Sequence, residues 1–226
     1  MATFIKAGFW EQLCKPCKGY KGWLNLDEFV TSRVVPGPPG PSGPSGPQGI
    51  QGPQGSPNGL FSQTGNSVPV TGTNVESSII NGGVGTLSVP ANGFQIGDSF
   101  KADFGGVMSA ANNQTIRIKV KAGSIVLLDS GVQNLTNAIT NNVWKLSIDF
   151  TIRQTGLAGV ASIASLGTFQ YTKTSNNSIQ GFAFNTINNT TFDTTVSNTL
   201  DVTVQWGSNN ASNTIFSDVF MLNKVY

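Results

Sequence analysis

The chain has 226 residues, a mass of 23.7 kDa and a formal net charge of +2, and only 11% of its residues are charged. It has no histidine and two cysteines, so it can form neither a Ser-His-Asp or Cys-His catalytic centre nor a zinc site with histidine ligands. The small net charge argues against a nucleic-acid-binding protein, which normally carries a concentrated basic patch.

The first segment, residues 1–35, is rich in aromatic side chains. The residues that we assign to a contact are Phe4, Phe9, Trp10, Tyr20, Trp23 and Phe29. A segment this short rarely buries enough surface to fold alone, and exposed aromatic side chains usually mark a contact. We therefore predict that residues 1–35 attach the chain to another protein. Charged residues interrupt every apolar run, so we expect neither a secretory signal nor insertion into a membrane.

Cys14 and Cys17 form a C-x-x-C motif within this segment. A redox motif of this kind normally opens a helix after a strand, and the surrounding residues show no such pattern. Free thiols, an interchain disulfide and a metal shared between chains all remain compatible with the spacing. We assign no cofactor and no metal ligand.

The second segment, residues 36–58, carries a strict three-residue repeat. Glycine occurs at every third position, at Gly37, Gly40, Gly43, Gly46, Gly49, Gly52 and Gly55. Only glycine fits at the crowded axis of three wound polyproline-II chains, so this period predicts a collagen triple helix. A flexible proline–glycine linker is the alternative, but it has no reason to keep seven glycines in register. The predicted stalk is roughly 60 Å long.

A collagen stalk fixes the stoichiometry at three parallel chains in register. Seven triplets make a short stalk, so the chains also need to be held together at one or both ends. The sequence therefore predicts a homotrimer.

The third segment, residues 59–226, has the pattern of β-strands. Apolar and polar residues alternate over 116–121, 144–153 and 200–206, as in strands with one packed and one solvated face. Further predicted strands are 84–89, 97–104, 124–128, 157–173, 179–185 and 215–225. No helical period appears. Many short strands in one segment predict an all-β sandwich or jelly roll.

Glycine and asparagine pairs separate the predicted strands. They are Asn92-Gly93, Gly105-Gly106 and five doublets, Asn112-Asn113, Asn141-Asn142, Asn176-Asn177, Asn188-Asn189 and Asn209-Asn210. Such pairs favour turns. The asparagine doublets are the candidate ligand-binding loops, because amides both donate and accept hydrogen bonds and because loops are where a rigid head varies.

The last predicted strand is apolar on both faces. One face carries Phe216, Phe220 and Leu222, and the other carries Ile215, Val219, Met221 and Val225. In a two-sheet domain one face of such a strand would normally be solvated. We therefore predict that Phe216, Phe220 and Leu222 lie at a trimer interface near a threefold axis.

Three stretches of the last segment carry a family resemblance: GGVMSAANNQTIRIKVKAG, LLDSGVQ and TTFDTTVSNTLDVTVQWGSNNASNTIFSDVF. With the collagen-like repeat, they resemble collagen-like trimeric virion fibre proteins of tailed phages and large DNA viruses. The resemblance extends from about Gly85 to Tyr226. It implies a trimeric jelly-roll head of the tumour-necrosis-factor-like kind, displayed on the capsid surface of a virion. It also implies that residues 1–35 bind the major capsid protein or another virion protein.

The function that the resemblance implies is that of a capsid (head) fibre. Its head would adhere to the host surface or to surrounding glycans through many weak contacts. Two alternatives share the order of segments: a tail or baseplate fibre that binds a receptor, and a bacterial spore-surface filament. No two acids are placed as a pair across a cleft, so we expect no enzymatic activity. Asp149, Asp193 and Asp201 are the acids that a missed active site would use.

Overall fold

The structure is a computed structural model that describes residues 4–6, 23–25, 40, 59–174 and 176–226. The chain divides into two compact units, Met1–Pro53 and Gln54–Tyr226. Several predicted features lie outside the described residues: Phe9, Trp10, Tyr20, Phe29, both cysteines and every stalk glycine except Gly40. Attachment through residues 1–35 and the triple-helical stalk therefore stay predictions.

In the first unit, two short strands are described. Strand β1 (Phe4–Lys6) pairs antiparallel with β2 (Trp23–Asn25), with Ile5 opposite Leu24. The pairing shows that the backbones of two predicted attachment residues, Phe4 and Trp23, lie on neighbouring strands.

The second unit is all-β and antiparallel over its described residues, and it has two sheets, which we call the large and the small sheet. The strands of the large sheet are β3 (Gly59–Gln63), β4 (Val70–Thr71), β6 (Gly83–Gly85), β8 (Ser99–Ala110), β12 (Ile139–Gln154), β13 (Ser162–Thr172), β14 (Ile179–Asn189) and β16 (Thr214–Lys224). Their order is β14-β13-β12-β8-β16-β3-β6, and β4 also pairs with β16.

The small sheet has six strands. They are β5 (Ser77–Ser78), β7 (Ser88–Val89), β9 (Thr115–Ala122), β10 (Ile125–Asp129), β11 (Gln133–Asn134) and β15 (Asn198–Trp206). Their order is β10-β9-β15-β5, with β11 on β9 and β7 on β15. The architecture is consistent with a β-sandwich, as the sequence predicted, and no helix that could cross a bilayer occurs among the described residues.

The three alternating segments form β9, β12 and β15, and their apolar residues enter one shared core. On β9, Ile116, Ile118 and Val120 are fully buried, while the residues between them face outward. The core contains two buried tryptophans, and each indole N–H donates to a backbone oxygen. Trp206 Nε1 donates to Val70 O at 3.1 Å, and Trp144 Nε1 donates to Phe216 O at 3.1 Å. Burial of each indole therefore leaves no unsatisfied donor.

The prediction for the faces of the last strand is wrong beyond Ser217. A β-bulge at Asp218 shifts the pairing of β16 with β8 between Ser217 and Val219, so the face that each later residue occupies is reversed. Phe220 and Leu222 consequently lie in the core of the single chain, where the Phe220 ring stacks on Phe104 at 3.9 Å. These two residues are therefore not on a surface that another chain could reach.

Of the predicted interface residues, Phe216 lies on the opposite face of β16 and is only partly buried. Beyond the bulge, Val219 and Met221 share that face with Phe216 and are exposed. The predicted alternation of faces is therefore correct up to Ser217. The extra residue at the bulge, Asp218, reverses it from Val219 onwards.

Three predicted turns are inside strands instead, since Asn188-Asn189 forms the end of β14. Gly105-Gly106 lies in the middle of β8, and a Cβ at Gly106 would come within 2.1 Å of the backbone oxygen of Phe216. Glycine is required there by the close approach of β16 rather than by a turn. Asn141-Asn142 lies within β12 at a register shift in its pairing with β8.

Two predicted strands also differ from those observed. The 84–89 segment is divided between β6 and β7, which belong to different sheets. The strand predicted over 157–173 begins only at Ser162.

Candidate functional site

Four of the five predicted asparagine loops lie at one end of the head, which we call the distal end. Its loops are 111–114, 130–132 and 135–138 on either side of β11, 173–174 with 176–178, and 207–213, together with the start of β12. Antiparallel pairing brings them together, because Ile139 pairs with Ala110 and Thr214 pairs with Ser109. The structure thus brings Asn112, Asn113, Asn141, Asn142, Asn176, Asn177, Asn209 and Asn210 to one surface.

The fifth doublet, Asn188-Asn189, lies at the opposite end, which we call the entry end. There the chain enters the head at Gly59, which pairs with Asn223 near the end of β16. Arg153 donates to Asn188 Oδ1 at 2.9 Å, and Asn189 Nδ2 donates to Val126 O at 2.9 Å. This doublet joins neighbouring elements and is separated from the other four.

The asparagine doublets have a conformational role in strands as well as in turns. Among the described residues, every non-glycine residue with positive φ is an asparagine: Asn92, Asn113, Asn137, Asn141, Asn177 and Asn188. Asparagine tolerates the left-handed region better than most residues because its short side chain bonds the local backbone. Four doublets each supply one such residue, two of them in turns and two within strands, so backbone geometry alone explains part of the pattern.

Several distal amides are also engaged within the head. Asn209 Oδ1 accepts from Asn74 N at 2.7 Å, and Asn210 Oδ1 accepts from Ser212 N at 2.9 Å. Asn142 Nδ2 donates to Thr172 O at 3.0 Å. These bonds fix the loops, in the manner of side-chain turns.

Of the eight residues in the distal doublets, three have side chains that remain available to a ligand. Asn112, Asn113 and Asn177 are exposed, and within the part of the chain that the structure describes they make no side-chain hydrogen bond. The loops around them contain one charged residue, Lys173. The distal end is therefore an almost uncharged surface of amides and hydroxyls, which is suited to hydrogen bonding with a neutral, polyhydroxylated ligand.

The three acids that an active site would use are not close together. Asp149 faces outward on β12 in the large sheet, and Asp201 faces outward on β15 in the small sheet, where Ser78 Oγ donates to it at 2.6 Å. Asp193 accepts from Thr195 N at 2.8 Å and from Thr195 Oγ1 at 2.7 Å. These bonds lower the pKa of Asp193 and give it a role in a turn. The arrangement brings no two of these acids across a common cleft.

Among the described residues, no group of three or more acids, cysteines and histidines could hold a metal ion. An apolar pocket of about 70 Å³ opens between the sheets at the entry end, lined in part by Phe94, Phe100 and Phe192. It is much smaller than the roughly 300 Å³ of a typical ligand site. Comparison with protein families, curated proteins and solved structures finds no match for the chain.

Proposed function

We propose that the chain is a structural fibre protein of a virion, a homotrimeric capsid fibre that carries a jelly-roll head for adhesion to host-surface or surrounding glycans. The collagen-like repeat supports the trimer, since its glycines are in register only when three chains wind together. Residues 1–35 are the proposed contact with the major capsid protein or another virion protein.

The strand pairing supports a jelly roll. The last two strands return to pair with earlier strands in nested order, β15 with β9 and β16 with β8. Nested return pairing of this kind, distributed over two antiparallel sheets, is the connectivity of a jelly roll. The hairpin β13–β14 then extends the large sheet beyond β12.

The position of the distal end is the observation on which the adhesive role depends. The chain enters the head at Gly59, at one end of the long strands. The amide-rich loops lie at the other end, and the 12 residues of β8 separate the two by roughly 40 Å. These loops therefore lie at the end of the head opposite to the point where the chain enters it, and we propose that this end meets the host surface.

Binding of full-length protein to host cells and to host capsular glycan tests this proposal. Free trimers should bind weakly, and trimers clustered on beads should bind about 10²–10⁴-fold more strongly because of avidity. The double variant Asn113→Gly and Asn177→Gly keeps the left-handed backbone but removes two distal amides, so it should lose binding. The matched control Asn188→Gly makes the same change at the entry end and should bind normally.

Two results would contradict the adhesive role. One is that neither free nor clustered protein binds while particles lacking the fibre adsorb normally, which would make the protein a capsid decoration. The other is equal loss of binding in the distal variant and the control, which would show that a ligand does not contact the distal end.

A further inference from the structure

The outer face of the large sheet, the side turned away from the small sheet, carries a cluster of exposed apolar residues. Val143, Val219 and Met221 are 55%, 50% and 44% exposed. Val107, at the centre of the cluster, pairs with Val143 on one side and with Phe216 on the other. We name these five residues, Phe216, Val107, Val143, Val219 and Met221, the apolar face. Its members lie on three adjacent strands, so they form a continuous surface.

A groove runs along the apolar face. Gly105 pairs with Lys145 on one side and with Val219 on the other. Because Gly105 has no side chain, the surface is depressed between these two neighbours. The groove has a volume of about 620 Å³ and extends from Val143 to Met221, and its lining is mainly apolar but includes Asp103, Lys145 and Asp218. An apolar surface with such a depression can interlock with another surface, unlike a flat one.

The small sheet presents the opposite kind of surface. On its outer face, Lys119 Nζ contacts Glu76 Oε2 at 2.5 Å and Arg117 Nε donates to Asp129 Oδ1 at 2.8 Å. Burying these pairs against a partner would remove water from several charges, which is unfavourable. Contact between heads is therefore more favourable through the apolar face.

The covalent connection between head and stalk indicates which molecule would cover the apolar face. The last stalk glycine, Gly55, precedes the first residue of β3, Gly59, by four residues, which span at most about 14 Å. Three chains wound together must therefore deliver three copies of β3 close to one axis. Within the large sheet β3 pairs with β16, where Ser62 lies opposite Met221, so the strand next to β3 carries part of the apolar face.

We propose that the apolar face is the surface through which the three heads contact one another, with a second copy of this chain as its occupant. The inference depends on the proposed trimer and assigns its interface to particular residues. The bulge at Asp218 creates this apolar face, because it turns Val219 and Met221 outward while Phe220 and Leu222 stay in the core. Contact between heads would also hold together a stalk of only seven triplets.

The test places charges on the apolar face of the full-length protein. Val219→Asp with Met221→Asp should reduce the mass in light scattering from three chains to one, or lower the melting temperature of the stalk followed by circular dichroism. The control is Val132→Asp with Val196→Asp, which changes two valines that are 66% and 52% exposed in loops away from this face. The control should behave as the wild type. Emission of the buried Trp144 and Trp206 reports whether each variant is folded.

The outcomes separate the two proposals. A wild-type mass near 23.7 kDa would contradict the trimer itself. A trimeric wild type, with mass and stalk melting unchanged in the apolar-face variant, would leave the trimer standing and overturn this interface in favour of another occupant.

Crosslinking replaces that measurement if the charged variant does not fold. Met221→Cys, in a background with Cys14→Ser and Cys17→Ser, should give crosslinked chains with a short bismaleimide. Val132→Cys in the same background should give none. Equal crosslinking at the two positions would contradict the interface.

Discussion

The outer faces of the two sheets are built from the same alternating pattern but differ in what they offer a partner. On the small sheet, β9 carries Arg117, Lys119 and Lys121 outward, and these pair with two acids of the same chain. On the large sheet, β8 also carries one outward ion pair, Lys101 with Asp103. Its next outward residues, Gly105 and Val107, are instead flanked by the apolar side chains of the apolar face. The comparison teaches that one face pairs its charges within the chain, whereas the other carries a cluster of exposed apolar side chains, which usually marks a contact.

The hydrogen bonds and ion pairs of the small sheet show how its charges are paired within the chain. Glu76 accepts from Lys119, Lys121 and Thr203, and the hydrogen bond from Lys119 contributes most to lowering the pKa of Glu76 to about 2. Arg117 likewise lowers the pKa of Asp129. These side chains form hydrogen bonds and ion pairs with one another, so they are poor candidates for ligand contacts.

The largest expected effect separates the core side of β16 from its outer side. Phe220→Ala should lower the free energy of unfolding by about 3–5 kcal/mol, because it leaves a cavity beside Phe104. Met221→Ala, at the same protein concentration, should lower it less, because that side chain lies outside the core of the head and contributes only to the proposed contact between heads. Urea denaturation followed by tryptophan fluorescence measures both. The reverse order would show that β16 continues its alternation without the bulge.

That bulge marks the limit of what the sequence could predict. The alternation over 116–121, 144–153 and 200–206 was sufficient to predict β9, β12 and β15, because apolar periodicity reports burial directly. The side on which Phe220 lies depends instead on one unpaired residue, Asp218, and nothing in the local pattern distinguishes a bulged from a regular strand.

The glycine and asparagine pairs illustrate a second limit. Gly105-Gly106 and Asn141-Asn142 carry the same signal as the pairs at true turns, and yet both lie inside strands. Gly106 is needed because the backbone of β16 approaches it, which is a tertiary constraint that a local sequence pattern does not contain. The clustering of four doublets at the distal end likewise depends on the order of the strands in the sheets, which the local sequence does not specify.

A smaller effect concerns the distal end. It belongs to the outer face of neither sheet, so changes there serve as a reference for changes on both faces. Asn113→Ala should lower the free energy of unfolding by about 1–2 kcal/mol, since alanine is disfavoured at the observed φ of 55°. Asn112→Ala, at the adjacent exposed position, should change it by less than about 0.5 kcal/mol. Thermal unfolding of both variants measures the difference. Neither change should alter the mass of the proposed trimer. Equal effects of the two changes would show that backbone geometry does not explain the doublet.

The smallest effect concerns the charged face. Glu76→Gln should lower the free energy of unfolding at pH 7 by on the order of 1 kcal/mol or less, because the carboxylate is partly exposed and its ion pairs are screened. Because folding lowers the pKa of Glu76 from 4.5 to about 2, its contribution is complete above pH 4.5 and is lost as the pH falls towards 2. The difference between wild type and variant should therefore shrink over that interval in urea titrations. A difference that does not change with pH would contradict the assigned ion pairs.

The most direct measurement compares the two faces in the assembled protein. Spin labels at Ser62→Cys, on β3 beside the apolar face, and at Thr199→Cys, on the outer face of the small sheet, would be placed in a background with Cys14→Ser and Cys17→Ser. Pulsed electron paramagnetic resonance then gives the distance between labels on different chains. We predict a shorter distance between the labels at position 62 than between those at position 199. A shorter distance at position 199, or no interchain distance at either position, would contradict the account.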